Sequence, residues 1–98
     1  PVSDGSLVDL SLELTEKVTV EEINSAFINN ASETLVTTTD PIVSSDVIGT
    51  TCGALADLSL TKVVEHDGKQ MVKVISWYDN EMGYSAQMVR TAKKLLSL

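Results

Sequence analysis

The ten residues Ser76-Trp77-Tyr78-Asp79-Asn80-Glu81-Met82-Gly83-Tyr84-Ser85 (SWYDNEMGYS) join two unlike patterns. Before them, Met71-Val72-Lys73-Val74-Ile75 is a strand-forming run that continues into Trp77 and Tyr78. After them, Tyr84, Met88, Ala92 and Leu95 recur at i, i+4, i+8 and i+11, and Val89 and Leu96 widen that row. Such spacing predicts a helix with a broad apolar stripe. Arg90, Lys93 and Lys94 lie towards its carboxyl end, where positive charge suits the helix dipole; Asp79, Asn80 and Glu81 lie at its amino end, where acceptors and negative charge suit it. The stretch therefore reads as a strand, a cap and a helix start.

Working outward, Thr61-Lys62-Val63-Val64-Glu65 pairs naturally with Met71–Ile75 as a hairpin, because Asp67-Gly68 tolerates the positive backbone angles of a tight turn. Leu7–Leu14 alternates: Val8, Leu10, Leu12 and Leu14 face one way, Asp9, Ser11 and Glu13 the other, a half-buried strand. Thr19-Val20-Glu21-Glu22 is a capping box, with Val18 and Ile23 placed as a hydrophobic staple. The helix it opens carries Val20, Ile23, Phe27 and Ala31 on one stripe and is expected to stop near Ala31. Short strands are expected at Thr34–Thr38, Ile42–Ile48 and Ala54–Leu60, with a turn at Asp40-Pro41. The order predicts an α+β fold: a mainly antiparallel sheet with helices on one face, mixed if the strand-helix-strand start makes a parallel crossover.

With 98 residues the chain has room for one domain, residues 1–98. A net charge of -7 lacks the basic footprint that a nucleic-acid partner requires. No apolar run approaches the ~18 residues of a membrane span, and the start lacks the features of a signal peptide. One cysteine, Cys52, forms no internal disulfide, which fits a reducing compartment. Pro1 is not an initiator methionine, so the chain is expected to be processed or excised from something larger.

Candidate chemistry is sparse. Nothing brings a base to Cys52, so it reads as a packing residue, and the single histidine, His66, reads as exposed at a hairpin end. There is no metal-ligand spacing and no glycine-rich phosphate loop. Asp79-Asn80-Glu81 supports two compatible readings. One is helix capping. In the other, the Asn80 carboxamide, with an acceptor and two donors in one plane, pairs with another amide. Tyr84, one turn later, then offers an aromatic face to a flat heterocycle such as a nicotinamide ring.

SWYDNEMGYS resembles the strand-to-helix segment of the glyceraldehyde-3-phosphate dehydrogenase family, usually WYDNEWGYS; Met82 stands where tryptophan is commoner. Pro1–Leu10 resembles the strand after that family's Arg-Val-Pro motif, Val18–Asn24 its following helix, and Val43–Gly49 its VS(S/T)DF-type strand. The resemblance implies the carboxyl-terminal part of the catalytic domain of an NAD-dependent enzyme, in which Asn80 bonds the nicotinamide carboxamide and Tyr84 packs near the ring. It assigns no catalytic residue and no metal ligand here, because the Ser-Cys-Thr-Thr-Asn nucleophile motif, its histidine and the Rossmann half have no counterpart in these residues. It further implies a cytoplasmic homotetramer, with the polar strand face at Asp9, Ser11 and Glu13 at a subunit contact. The wide apolar stripe of the last helix is expected to dock on the absent cofactor domain. The segment alone is expected to be inactive. A fragment of the related erythrose-4-phosphate dehydrogenase and a non-catalytic α+β interaction module are the alternatives.

Overall fold

The computed structural model describes residues 2–98; Pro1, and the expectation attached to it, lie outside them. The chain forms β1 (Ser6–Leu12), α1 (Val20–Asn29), β2 (Leu35–Thr38), α2 (Ser44–Val47), β3 (Ala54–Asp57), β4 (Lys62–His66), β5 (Lys69–Tyr78) and α3 (Met82–Leu96), with a 3-10 turn at Leu58–Leu60. This is the expected α+β architecture around a mixed, mostly antiparallel five-stranded sheet.

The long strand β5 organises the sheet. β1 runs antiparallel along one edge of it, with Ser6 opposite Tyr78 and Leu12 opposite Val72. The other edge is shared. β4 pairs with its first half, and β3 with Ser76 and Trp77 near its end, so β3 and β4 lie end to end. The Leu58–Leu60 turn makes the step between them. The β4–β5 turn is the two-residue Asp67-Gly68 loop, with φ of 51° and 75°. Both angles match the turn that suits the twist of a hairpin.

The parallel pair is β2–β3 rather than the strand-helix-strand start. Its crossover spans residues 39–53, long enough for a parallel connection. Inside that crossover lies a correction. Residues 42–48, expected as a short strand, contain the helical turn α2. The Asp46 carboxylate accepts from the Val43 amide at 2.9 Å, and the Asp46 amide donates to the Val43 carbonyl at 3.0 Å. These local bonds close a turn, and its only buried residue is Val47. The strand expected over Ala54–Leu60 likewise stops at Asp57.

The capping box of α1 forms as expected: the Glu22 amide donates to Thr19 Oγ1 at 3.1 Å, and the Thr19 amide to Glu22 Oε1 at 3.2 Å. Ile23 then packs with Val72 and Val74, flanked by Leu12, Val18, Phe27 and Val63. Gln70 clasps the helix entry to the hairpin, accepting from the Val18 amide and donating to its carbonyl. Thr19→Ala is expected to cost about 1 kcal/mol of stability, read from the urea midpoint, because one amide at the helix start loses its acceptor.

Candidate functional site

The turn from β5 into α3 within SWYDNEMGYS is anchored by a buried carboxylate. Asp79 is 2% exposed. Its Oδ1 accepts from the amides of Glu81 and Met82 at 2.8 and 2.9 Å, and its Oδ2 from the amide of Gly49 at 2.8 Å. Glu81, immediately before α3, makes no side-chain cap. Asp79 caps the helix instead and ties it to the loop after α2. The Gly49 amide, then that of Met82, hold the Asp79 carboxyl down to about 2 against the opposing effect of burial, with help from the Glu81 amide and the Asp4 carboxyl. Burial pushes the neighbouring Asp4 carboxyl up; the Gly5 amide opposes this, while Asp79 adds to it. Asp4 Oδ1 is buried with no hydrogen-bond partner among the described residues.

Asn80 follows at the surface. Its Oδ1 accepts from the Gly5 amide at 3.0 Å and from Ser6 Oγ at 3.2 Å. The antiparallel register delivers these donors, because the start of β1 lies opposite the end of β5. Among the described residues nothing accepts from Asn80 Nδ2, so the carboxamide offers its amino group outward. Tyr84 is 71% exposed, and it lines one cavity of about 230 Å³ together with Asn80, Gly53, Tyr78, Asp79, Gly83 and Gln87. The structure thus brings the two residues singled out by sequence to one concavity.

Two glycines make that concavity. A Cβ on Gly83 would sit 2.9 Å from the Cys52 carbonyl oxygen, and one on Gly53 would sit 3.3 Å from the Gln87 side chain. Gln87 in turn accepts from Arg90 at 2.6 Å and from Thr34 Oγ1 at 3.3 Å, which fixes its position in the wall. Sequence reading did not single out Asp4, Gly5, Ser6 or Gln87. Their contributions come from strand register and from contacts far apart in the chain, and no local pattern carries that information.

Cys52 is buried beside the start of α3, whereas His66 is exposed at the opposite end of the β4–β5 hairpin. The nine steps of β5 between those ends span roughly 30 Å of strand, so no thiol–imidazole pair forms. Among the described residues no cluster of three His, Cys, Asp or Glu could hold a metal ion, and no helix is long and apolar enough to cross a membrane.

The family described as glyceraldehyde 3-phosphate dehydrogenase, C-terminal domain, matches residues 1–80. The chain belongs to that family. It is 53% identical over 91 residues to the glyceraldehyde-3-phosphate dehydrogenase of Streptococcus pyogenes, and 53% identical over 91 residues to that of Clostridium acetobutylicum. In both comparisons 93% of this chain is covered but only 27% of the relative. The chain therefore spans about a quarter of the length of these relatives, and Tyr84 falls after the residues that the family match covers.

Proposed function

We propose that this chain is the carboxyl-terminal part of the catalytic domain of an NAD-dependent, phosphorylating glyceraldehyde-3-phosphate dehydrogenase, and that Asn80 and Tyr84 form the nicotinamide side of its cofactor site. The observation that carries the proposal is the Asn80 carboxamide, its oxygen tied down and its amino group outward, beside an exposed Tyr84 ring in one cavity. A nicotinamide carboxamide presents a carbonyl oxygen that accepts from such an amino group. The cavity is smaller than the roughly 300–1,000 Å³ of pockets that engulf a drug-sized ligand, which suits one ring of a larger cofactor. Asp79, ionised down to about pH 2, lies in the lining and favours the positive charge of an oxidised nicotinamide ring.

When bound, NAD accepts the hydride. The residues of this chain orient the ring: Asn80 fixes the carboxamide, Tyr84 walls one side, and Gly83 and Gly53 let the walls close in. The thiol that attacks the aldehyde and the base that activates it are supplied by the rest of the enzyme, along with the dinucleotide-binding half. The exposed row Tyr84, Met88, Val89, Leu95 and Leu96 on α3 is the surface we assign to docking on that half. The whole enzyme is read as a cytoplasmic homotetramer. The 98-residue chain alone is expected to reduce no NAD in the presence of aldehyde and phosphate.

Asn80→Ala in the full-length enzyme carrying this segment tests the reading. Loss of one hydrogen bond, about 0.5–1.5 kcal/mol, is expected to raise the KM for NAD roughly 2- to 10-fold while the KM for the aldehyde stays put. An unchanged KM for NAD in a folded variant contradicts it.

A further inference from the structure

A carboxamide can present either end to a ligand, and a half-turn about its last bond exchanges them. We infer that Ser6, together with the amide of Gly5, is the device that locks Asn80 in one of these two states and so makes the site a reader of carbonyl oxygens. The inference rests on the assignment of Asn80 to the nicotinamide carboxamide and adds a positioning residue from the other end of the chain, 74 residues away.

The backbone N–H of Gly5 only donates, so at 3.0 Å it can bond only to the oxygen end of the Asn80 carboxamide. Ser6 Oγ sends a second donor to the same oxygen at 3.2 Å. A carbonyl oxygen has two lone pairs, and these two donors fill both. A flipped carboxamide would set its amino group against the Gly5 amide, donor facing donor, and would leave the Ser6 hydroxyl to reverse its bond. The ligand therefore meets Nδ2 alone. A ring substituent with an accepting oxygen is bound; one offering only donors is turned away.

The scaffold keeps the lock in register. Ser6 is opposite Tyr78 in the β1–β5 ladder, so the first residue of β1 falls beside the residues that follow β5. Gly5 has φ of 94°, in the left-handed region, and a Cβ there would lie 3.3 Å from the Ser44 carbonyl oxygen. That backbone turn aims the Gly5 amide at Asn80. On the other side, the three amide bonds to Asp79 hold the chain immediately before Asn80.

The test is a cycle of variants in the full-length enzyme: Ser6→Ala, Ser6→Thr, Asn80→Ala and the Ser6→Ala/Asn80→Ala pair, with KM measured separately for NAD and aldehyde. Ser6→Ala is expected to raise the KM for NAD roughly 2- to 5-fold, the worth of part of one neutral hydrogen bond, with the aldehyde KM unmoved. Ser6→Thr, which keeps the hydroxyl, is expected to restore it. In the Asn80→Ala background Ser6→Ala is expected to change nothing further. If Ser6→Ala leaves the NAD KM alone while Asn80→Ala raises it, the lock is wrong and the cofactor reading stands. If Ser6→Ala acts equally with and without Asn80, Ser6 does not work through the carboxamide, and the lock is again wrong. If neither single variant alters the NAD KM, the cofactor reading falls and takes the lock with it.

Discussion

Gly83→Ala is expected to destabilise the fold by about 1–3 kcal/mol, the usual cost of forcing atoms into a filled space. The added methyl would stand 2.9 Å from the Cys52 carbonyl oxygen. A backbone atom blocks it, so no side-chain rotation relieves the clash and α3 itself must move. Alanine ordinarily helps a helix relative to glycine, by about 1 kcal/mol, but that advantage applies to helix interiors and Gly83 lies in the first turn. The movement carries a second consequence. Gly83 and its neighbour Tyr84 both line the Asn80 cavity, so displacing the helix start separates the aromatic wall from the carboxamide. In the full-length enzyme carrying this segment, the KM for NAD is expected to rise with the fall in urea midpoint. Ser85→Ala, exposed on the same helix, is the control and is expected to stay within about 0.5 kcal/mol. Equal midpoints for the two variants would show that the close approach does not constrain α3.

Asp79→Ala is expected to cost more than the Thr19→Ala cap, because three amides rather than one lose their acceptor, and one of them ties α3 to the loop after α2. Its ionisation also gives the fold an acid limb. The Asp79 pKa is depressed from 3.8 to about 2 in the folded chain. Its contribution to stability is therefore fully present above the unfolded value and is lost as pH falls from about 4 towards 2. Asp4 works in the opposite sense. Its carboxyl is raised, chiefly by burial, so ionising it with rising pH disfavours the fold. Stability measured by urea titration from pH 6 to pH 2 should show the acid loss in the unmodified protein and a shallower one in Asp79→Asn. An unchanged acid limb in Asp79→Asn would assign that loss to other carboxylates.

Local chemistry made much of this legible. The Asp-Gly turn, the Thr19/Glu22 box and the helical row from Tyr84 to Leu95 each depend on neighbours within a few residues, and each appears as read. Ile42–Ile48 misled because β-branched residues resemble a strand, while the deciding interaction is the Asp46 carboxylate closing onto Val43. Leu58–Leu60 leaves strand geometry where Asp57 turns inward to accept from Trp77 Nε1 and Ser59 Oγ, the first of these a contact twenty residues away. The alternation over Leu7–Leu14 gave the strand but not its burial: β1 ends at Leu12, Val8, Leu10 and Leu14 are exposed in this chain, and of that row Leu12 reaches the α1 cluster. At the site, the motif named Asn80 and Tyr84. What orients Asn80 comes from Gly5 and Ser6, and strand register, which no short motif encodes, puts them there.

The most direct measurement is a crystal structure of the full-length enzyme carrying this segment with NAD bound. The account predicts Asn80 Nδ2 within about 3 Å of the nicotinamide carbonyl oxygen, Oδ1 still on Gly5 and Ser6, and Tyr84 beside the ring. A nicotinamide ring seated away from Asn80, or an Asn80 turned with its oxygen towards the ligand, would contradict it.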